Sequence, residues 1–400
     1  MRETDIVILL MCAIYGLFEA LCYGCLLVIH RKTGIYYLPR RTPRLSATCL
    51  RFIKRFIDEN GRGTLMEYDG NIGWSLRPSV RSEDGLYSTN ARGARASREY
   101  PRTPDAGTIR ITTFGDCLTF GEEVPEESTW QRQMERLSPN FEVINLGVDG
   151  YDPGQMLLRY RQSLEFYADQ HVVVLALVSS NIYKPLNIFR PFYSYDHGIK
   201  LAKPGFSVTD GALRRIANPM ESLSHYERLL DNRREELLKL GSLDHYHLTT
   251  YSSGPLDFLP SMRLAKIVLN EHRKRREVFD GGGRYREGSE ALRTTVKIID
   301  EYCALARQQG SLPLIVLFPL RKDIRRFLRK AVRPYAPLIG HFERMNYRFI
   351  DMLDAFKECA EDGNVDDVFV GRHYSTLANA AIARHLTDYI HRNVPFEGTV

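Results

Sequence analysis

The sequence predicts an α/β protein: a doubly wound, three-layer α/β/α sandwich on a parallel sheet, carried behind one N-terminal transmembrane helix. Three observations predict it. From Ile6 to His30 the chain is apolar, with Glu19 its only formally charged residue. The run His171 to Val178 (HVVVLALV) is apolar after its first residue, as a parallel strand covered on both faces must be. Such strands alternate with helical stretches along the rest of the chain, which places a site at the carboxyl ends of the strands.

The 400 residues are 44% apolar and 11% aromatic, enough for a large core and too many for a disordered chain. Seven cysteines are too sparse for a disulfide scaffold, and an odd number leaves at least one thiol outside any disulfide within the monomer.

As a helix, Ile6 to His30 reaches roughly 37 Å, enough to cross a hydrocarbon core of about 30 Å. It reads as a retained anchor rather than a cleaved signal peptide, because MRETD is barely basic and no A-x-A site follows. Glu19 either meets a partner helix or is neutral in the membrane, or else tilts toward the interface. Behind the span, Arg31, Lys32, Arg40, Arg41, Arg44, Arg51, Lys54, Arg55 and Arg62 face only Asp58 and Glu59, a local +7. Taken from the total of +6, that leaves −1 elsewhere, so the basic bias belongs to the membrane flank and nucleic-acid binding is not expected. In the same stretch Leu45, Cys49, Phe52, Ile53, Phe56 and Ile57 recur at helical spacing. That helix lies either on anionic membrane lipid or against the globular domain.

Strands are expected at Arg110 to Phe114, Glu142 to Leu146, His171 to Val178, Leu312 to Phe318 and Arg348 to Ile350. Helices fall between them at Ser128 to Leu137, Gly154 to Tyr167 and Glu290 to Gln309, the last stopped by Gly310. The charged stretch at about 221–288 breaks the alternation and reads as an insertion containing a helix over Ser261 to Phe279. The expected parts are therefore a transmembrane helix (1–30), a basic juxtamembrane linker (31–69) and an α/β domain (70–400) carrying that insertion. The run Arg321, Lys322, Arg325, Arg326, Arg329, Lys330 and Arg333 is a solvated helix face or a surface for an anionic polymer or headgroup.

The sharpest local feature is FGDCLTFG, Phe114 to Gly121, a strand entering a glycine-flanked turn and then a helix. The turn lifts Cys117 to the sheet edge beside a helix N-terminus, which predicts a lowered thiol pKa and a usable nucleophile. Asp116 reads as a structural turn residue. His245 and His247 flank Tyr246 without further spaced ligands, so no metal site is expected, and nothing calls for a cofactor.

These residues resemble the SGNH/GDSL hydrolase family, in its membrane-anchored bacterial form. GDCLTFGEEVPEESTW is similar to the family's first block, with Cys117 at the nucleophilic serine position. NLGVDGYDPGQ resembles the second, and VSSNIY the third, although Ile182 stands where an Asp is usual. VGRHYSTLANAAIARHL resembles the histidine block. NIGWSLRP, STNARGAR and GLFEALC are similar to the lead-in and membrane segment of anchored members, and the likeness covers about Gly70 to Pro219 and Gly288 to Ile390. The resemblance implies His373 as catalytic base and an oxyanion hole from Gly150, Asn181 and Cys117. It also implies ester-linked acyl groups on glycans or polysaccharide as substrates, and an outward-facing domain, whereas the basic flank favours a cytoplasmic one.

Two departures bear on mechanism. Cys117 replaces serine, and Val370 stands where the acid of the usual Asp-x-x-His would be. A thiol can pair with histidine without a third member, so a Cys117–His373 dyad working through a thioester is coherent, with Asp366 or Asp367 as candidate orienting acids. The expectation is an acyl-ester hydrolase or acyltransferase. The alternative is a catalytically degenerate module that binds glycan or serves a membrane acyltransferase through its anchor helix.

Overall fold

The computed structural model describes residues 2–33, 45–193, 198–247, 254–359 and 364–394. The basic-flank residues Arg40, Arg41 and Arg44 lie outside them. The chain divides into two units: residues 1–60, 187–203 and 219–277 form one, and 61–186, 204–218 and 278–400 the other.

The second unit holds a five-stranded, fully parallel sheet in the order Phe141–Asn145, Ile109–Phe114, Val172–Val178, Leu312–Phe318, Arg348–Asp351. Numbered along the chain, that order is 2-1-3-4-5, the flavodoxin-like doubly wound arrangement. Every residue of Val172–Val178 is buried, which is why this central strand shows no polar alternation. Helices cover both faces, giving the expected three layers. On one side Trp130–Leu137, Met352–Cys359 and Thr376–Asn393 bury Trp130, Met134, Phe356, Ile382 and Leu386 against the sheet. On the other, Pro153–Ser163 and Glu290–Gln308 bring Tyr160 and Tyr302 onto Phe114, with ring centroids 5.3 Å and 6.1 Å away. Short polar residues start the helices: Thr129 accepts from the Arg132 amide, Asp152 forms a capping box with Gln155, and Ser289 accepts from the Leu292 amide.

Among the described residues, three short antiparallel hairpins add to the strands expected from the sequence: Met66–Asp69 with Gly73–Leu76, Gly205–Thr209 with Ala212–Ile216, and Phe369–Val370 with His373–Tyr374.

The first unit contains the long helix Glu3–Thr33, of which Glu3–Ile29 is long and apolar enough to span a membrane or to serve as a signal sequence. It also contains Ala47–Asp58, capped by Ser46. The apolar face of that helix, Cys49, Ile53 and Phe56, is buried and the helix packs with Leu223–Asp231, so the apolar stripe meets protein rather than lipid. The helix expected at Ser261 to Phe279 spans Pro260–Val278.

Candidate active site

The sheet reverses its winding between Ile109–Phe114 and Val172–Val178, and crevices outside the carboxyl ends of such strands are where doubly wound folds build sites. Cys117 follows the first of these strands and Asn181 the second. Gly115 is required at the turn because a Cβ there would lie 1.9 Å from Thr119 Oγ1. Asp116 Oδ1 accepts the Leu118 amide at 3.1 Å, so its carboxylate holds the turn.

The helix behind Cys117 is a single turn, Cys117–Phe120, closed by Gly121 at φ 80°. It supplies little of the dipole that the sequence suggested. The thiol is instead pushed well above its ordinary value, chiefly by burial, then by the charges of Asp116 and Asp149, with Lys184 opposing and Glu122 adding. The expected lowering is therefore reversed, because the turn sets the sulfur in a desolvated, acidic surround.

His373 lies in the two-residue strand His373–Tyr374, paired antiparallel with Phe369–Val370. Its ring is held by two carboxylates: Nε2 is 3.0 Å from Glu122 Oε2, and Nδ1 is 3.0 Å from Glu123 Oε2. Burial pulls the imidazole down, but the hydrogen bonds and charges of Glu122 and then Glu123 outweigh it and raise the pKa to about 9. The Cys117 sulfur, a Glu122 oxygen and a His373 ring nitrogen lie within 4.8 Å of one another, which brings the expected nucleophile and base together. By donor type and spacing these three are also, among the described residues, the group that could hold a metal ion. His245 and His247 take no part in such a group. His245 Nε2 is 2.6 Å from Glu277 Oε1, and His247 packs on the Phe192 ring.

The candidate orienting acids sit elsewhere. Asp366 is paired with Arg325 at 2.9 Å and with Arg321 at 3.3 Å, and Asp367 accepts from Asn364 Nδ2 at 2.9 Å. Both ring nitrogens of His373 are already taken, so the acid behind Nδ1 is Glu123. It comes from the loop after the Cys117 turn rather than from the strand of the histidine. Gly371, at φ 55°, makes room for it, since a Cβ there would approach Glu123 Oε1 to 2.4 Å. Its only advance sign was the Glu122–Glu123 pair within the first block, which a search for an acid close to His373 passes over.

Residues 120–124 carry both glutamates and are fixed by Arg95, which is 2% exposed. Arg95 Nη1 donates to the carbonyls of Phe120 and Gly121, and Nη2 to that of Val124 at 2.6 Å. Its guanidinium lies over the Phe120 and Tyr87 rings, and burial draws its pKa down to about 10. Tyr87 Oη accepts the Glu123 amide at 3.0 Å.

Gly150 lies at φ 77° in the loop after Phe141–Asn145, a loop tied to the Cys117 turn by the Val148 amide donating to the Gly115 carbonyl at 3.1 Å. Asn181 is 2% exposed, and neither its Nδ2 nor its Oδ1 has a hydrogen-bond partner among the described residues. A buried primary amide left with both atoms unpaired costs free energy unless something else binds it.

No family model and no curated protein matches the chain. Among solved structures, it is similar to a member of the lipolytic protein G-D-S-L family from Veillonella parvula DSM 2008. The likeness covers 71% of this chain and 100% of that one at 13% identity, with a TM-score of 0.38. A second structure, given as a lipolytic protein of the G-D-S-L family from Desulfitobacterium hafniense DCB-2, is similar over 70% of this chain and 99% of its own, at 9% identity and a TM-score of 0.34.

Proposed function

We propose that the protein is a membrane-anchored acyl-ester hydrolase or acyltransferase in which Cys117 is the nucleophile, His373 the general base and Glu123 the acid that orients it. The observation that carries this reading is the convergence of three distant segments, with the Cys117 sulfur within 4.8 Å of the His373 ring and His373 Nδ1 3.0 Å from Glu123. Neutral His373 takes the thiol proton and the sulfur attacks the ester carbonyl. Gly150 and Asn181 hold the oxyanion, and the imidazolium returns the proton to the leaving alcohol. Water then cleaves the thioester, or an alcohol such as a sugar hydroxyl accepts the acyl group. The motif resemblance favours an acylated glycan as substrate. Glu122, which occupies Nε2 in this structure, must move aside or be displaced by substrate for that nitrogen to face the sulfur.

A second reading, a non-hydrolytic SGNH-like module, is favoured by that same contact together with the raised thiol, since an idle site needs neither a free Nε2 nor a thiolate. An ester-substrate panel combined with thiol alkylation across pH, on wild type, Cys117→Ala and His373→Ala, separates the two. Turnover and alkylation that both depend on Cys117 and respond to His373 support the enzyme. Ordinary thiol reactivity without Cys117-dependent turnover overturns it.

A further inference from the structure

We infer that the first three turns of the helix Pro260–Val278, with the residues just before it, are inserted in the bilayer beside the anchor helix, their apolar face against lipid chains. The inference rests on the anchor reading given above and extends it from one helix to a second element.

The depth is set by one contact. The Ser261 amide donates to Glu19 Oε2 at 2.9 Å, and its hydroxyl donates to Oε1 at 2.5 Å. Glu19 stands ten residues before Ile29, so in a spanning helix it lies about 15 Å below the end of the span. Ser261 must lie at the same depth. Along the anchor helix only the side bearing Glu19, Cys22, Leu26 and Ile29 is covered, and Ile6 to Phe18 are open all round. Protein thus accompanies the helix down to Glu19 and no further.

Around Ser261 ionic groups are buried and large apolar side chains exposed, while Ile267 turns inward at 8% exposure. Arg263 and Asp257 are buried at 6% and 7% exposure, and Asp257 pairs with Lys266. Outward, Phe258 is 64% exposed, and Val268 and Leu269 are 60% exposed. A segment that keeps its ionic groups inside and shows aromatic and aliphatic side chains outside suits a hydrocarbon solvent. Glu19 caps the helix start, where free amides in lipid would otherwise go unpaired. The basic turn Arg273, Lys274, Arg275 and Arg276 begins about 18 Å along the axis from Ser261, far enough to rise to the headgroups and meet anionic lipid.

The test uses the full chain in phosphatidylcholine/phosphatidylglycerol vesicles, with and without acyl-brominated phosphatidylcholine. Fluorescence is read from Phe258→Trp, Leu269→Trp and Leu10→Trp variants after subtracting wild type, whose Trp74 and Trp130 are fully buried. Bromolipid is expected to quench Phe258→Trp and Leu269→Trp about twofold or more while aqueous iodide does not. Quenching of Leu10→Trp by bromolipid, with Phe258→Trp and Leu269→Trp quenched by iodide instead, overturns the inference and leaves the anchor intact. If bromolipid quenches none of the three, the anchor reading fails and the inference with it.

Discussion

His373 Nδ1 lies 3.0 Å from Glu123 Oε2 across 250 residues of sequence, so the carboxylate on that nitrogen comes from the loop that follows the Cys117 turn. Gln at 123 keeps the shape and removes the charge. Glu123→Gln is expected to lower kcat/KM on an ester substrate by about 100-fold, below the roughly 10⁴-fold loss of a serine triad because a thiol depends less on the acid. Asp366→Asn and Asp367→Asn are expected to leave it within about twofold, and steady-state kinetics on the three variants decides.

His373 titrates near 9, so the neutral imidazole that can accept a proton is scarce at pH 7. Activity should rise with pH through about 9. Glu122→Gln removes the strongest raising interaction and should move the inflection to lower pH in a pH–rate profile. The stability linkage has the opposite sense. A folded pKa above the unfolded value of about 6.5 stabilises fully below pH 6.5, and that contribution is lost as pH rises through about 9. Urea unfolding of wild type against His373→Gln should show their difference shrinking over that window.

Gly371 permits the approach of Glu123. Gly371→Ala forces a Cβ to within 2.4 Å of Glu123 Oε1 at a φ of 55°, so the carboxylate must leave Nδ1. The stability cost should be about 1 kcal/mol, while the His373 titration, followed by NMR, moves downward and activity falls as in Glu123→Gln.

Arg95 acts on the site through the loop it fixes. Arg95→Lys cannot reach three carbonyls at once, and unpaired carbonyls in a buried position should cost about 2–4 kcal/mol in urea unfolding. The pH–rate inflection should also move down as Glu122 and Glu123 lose their places, which loss of stability alone would not produce.

Asn181 offers a buried amide with no hydrogen-bond partner among the described residues. Asn181→Ala is expected to lower kcat about 10²–10³-fold with little or no loss of stability, because no hydrogen bond among the described residues is broken. Kinetics and thermal unfolding on the same preparation distinguish this from a structural asparagine, whose removal would lower both.

The strands and the principal helices were legible because each is specified by neighbours in sequence: seven consecutive buried residues at Val172–Val178, or a capping box at Asp152 and Gln155. The local blocks around Cys117 and His373 singled out these two residues, which the fold brings close together. The carboxylates that hold the His373 ring were not legible, since Asp366 and Asp367 are nearer to it along the chain yet are paired with Arg321 and Arg325 and with Asn364. The thiol's environment was not legible for a similar reason. A one-turn helix contributes less than the burial and the carboxylates gathered around it.

By itself the sequence determined the alternation of strands and helices, the apolar N-terminal helix and the residue types at the Cys117 turn, because periodicity, capping and glycine placement act over a few residues. The tertiary structure alone decided that Glu123 stands behind His373, that Glu122 covers its other nitrogen and that Glu19 meets Ser261. Such pairings follow from side chains brought within 3 Å by the packing of distant segments, and no spacing along the chain encodes them.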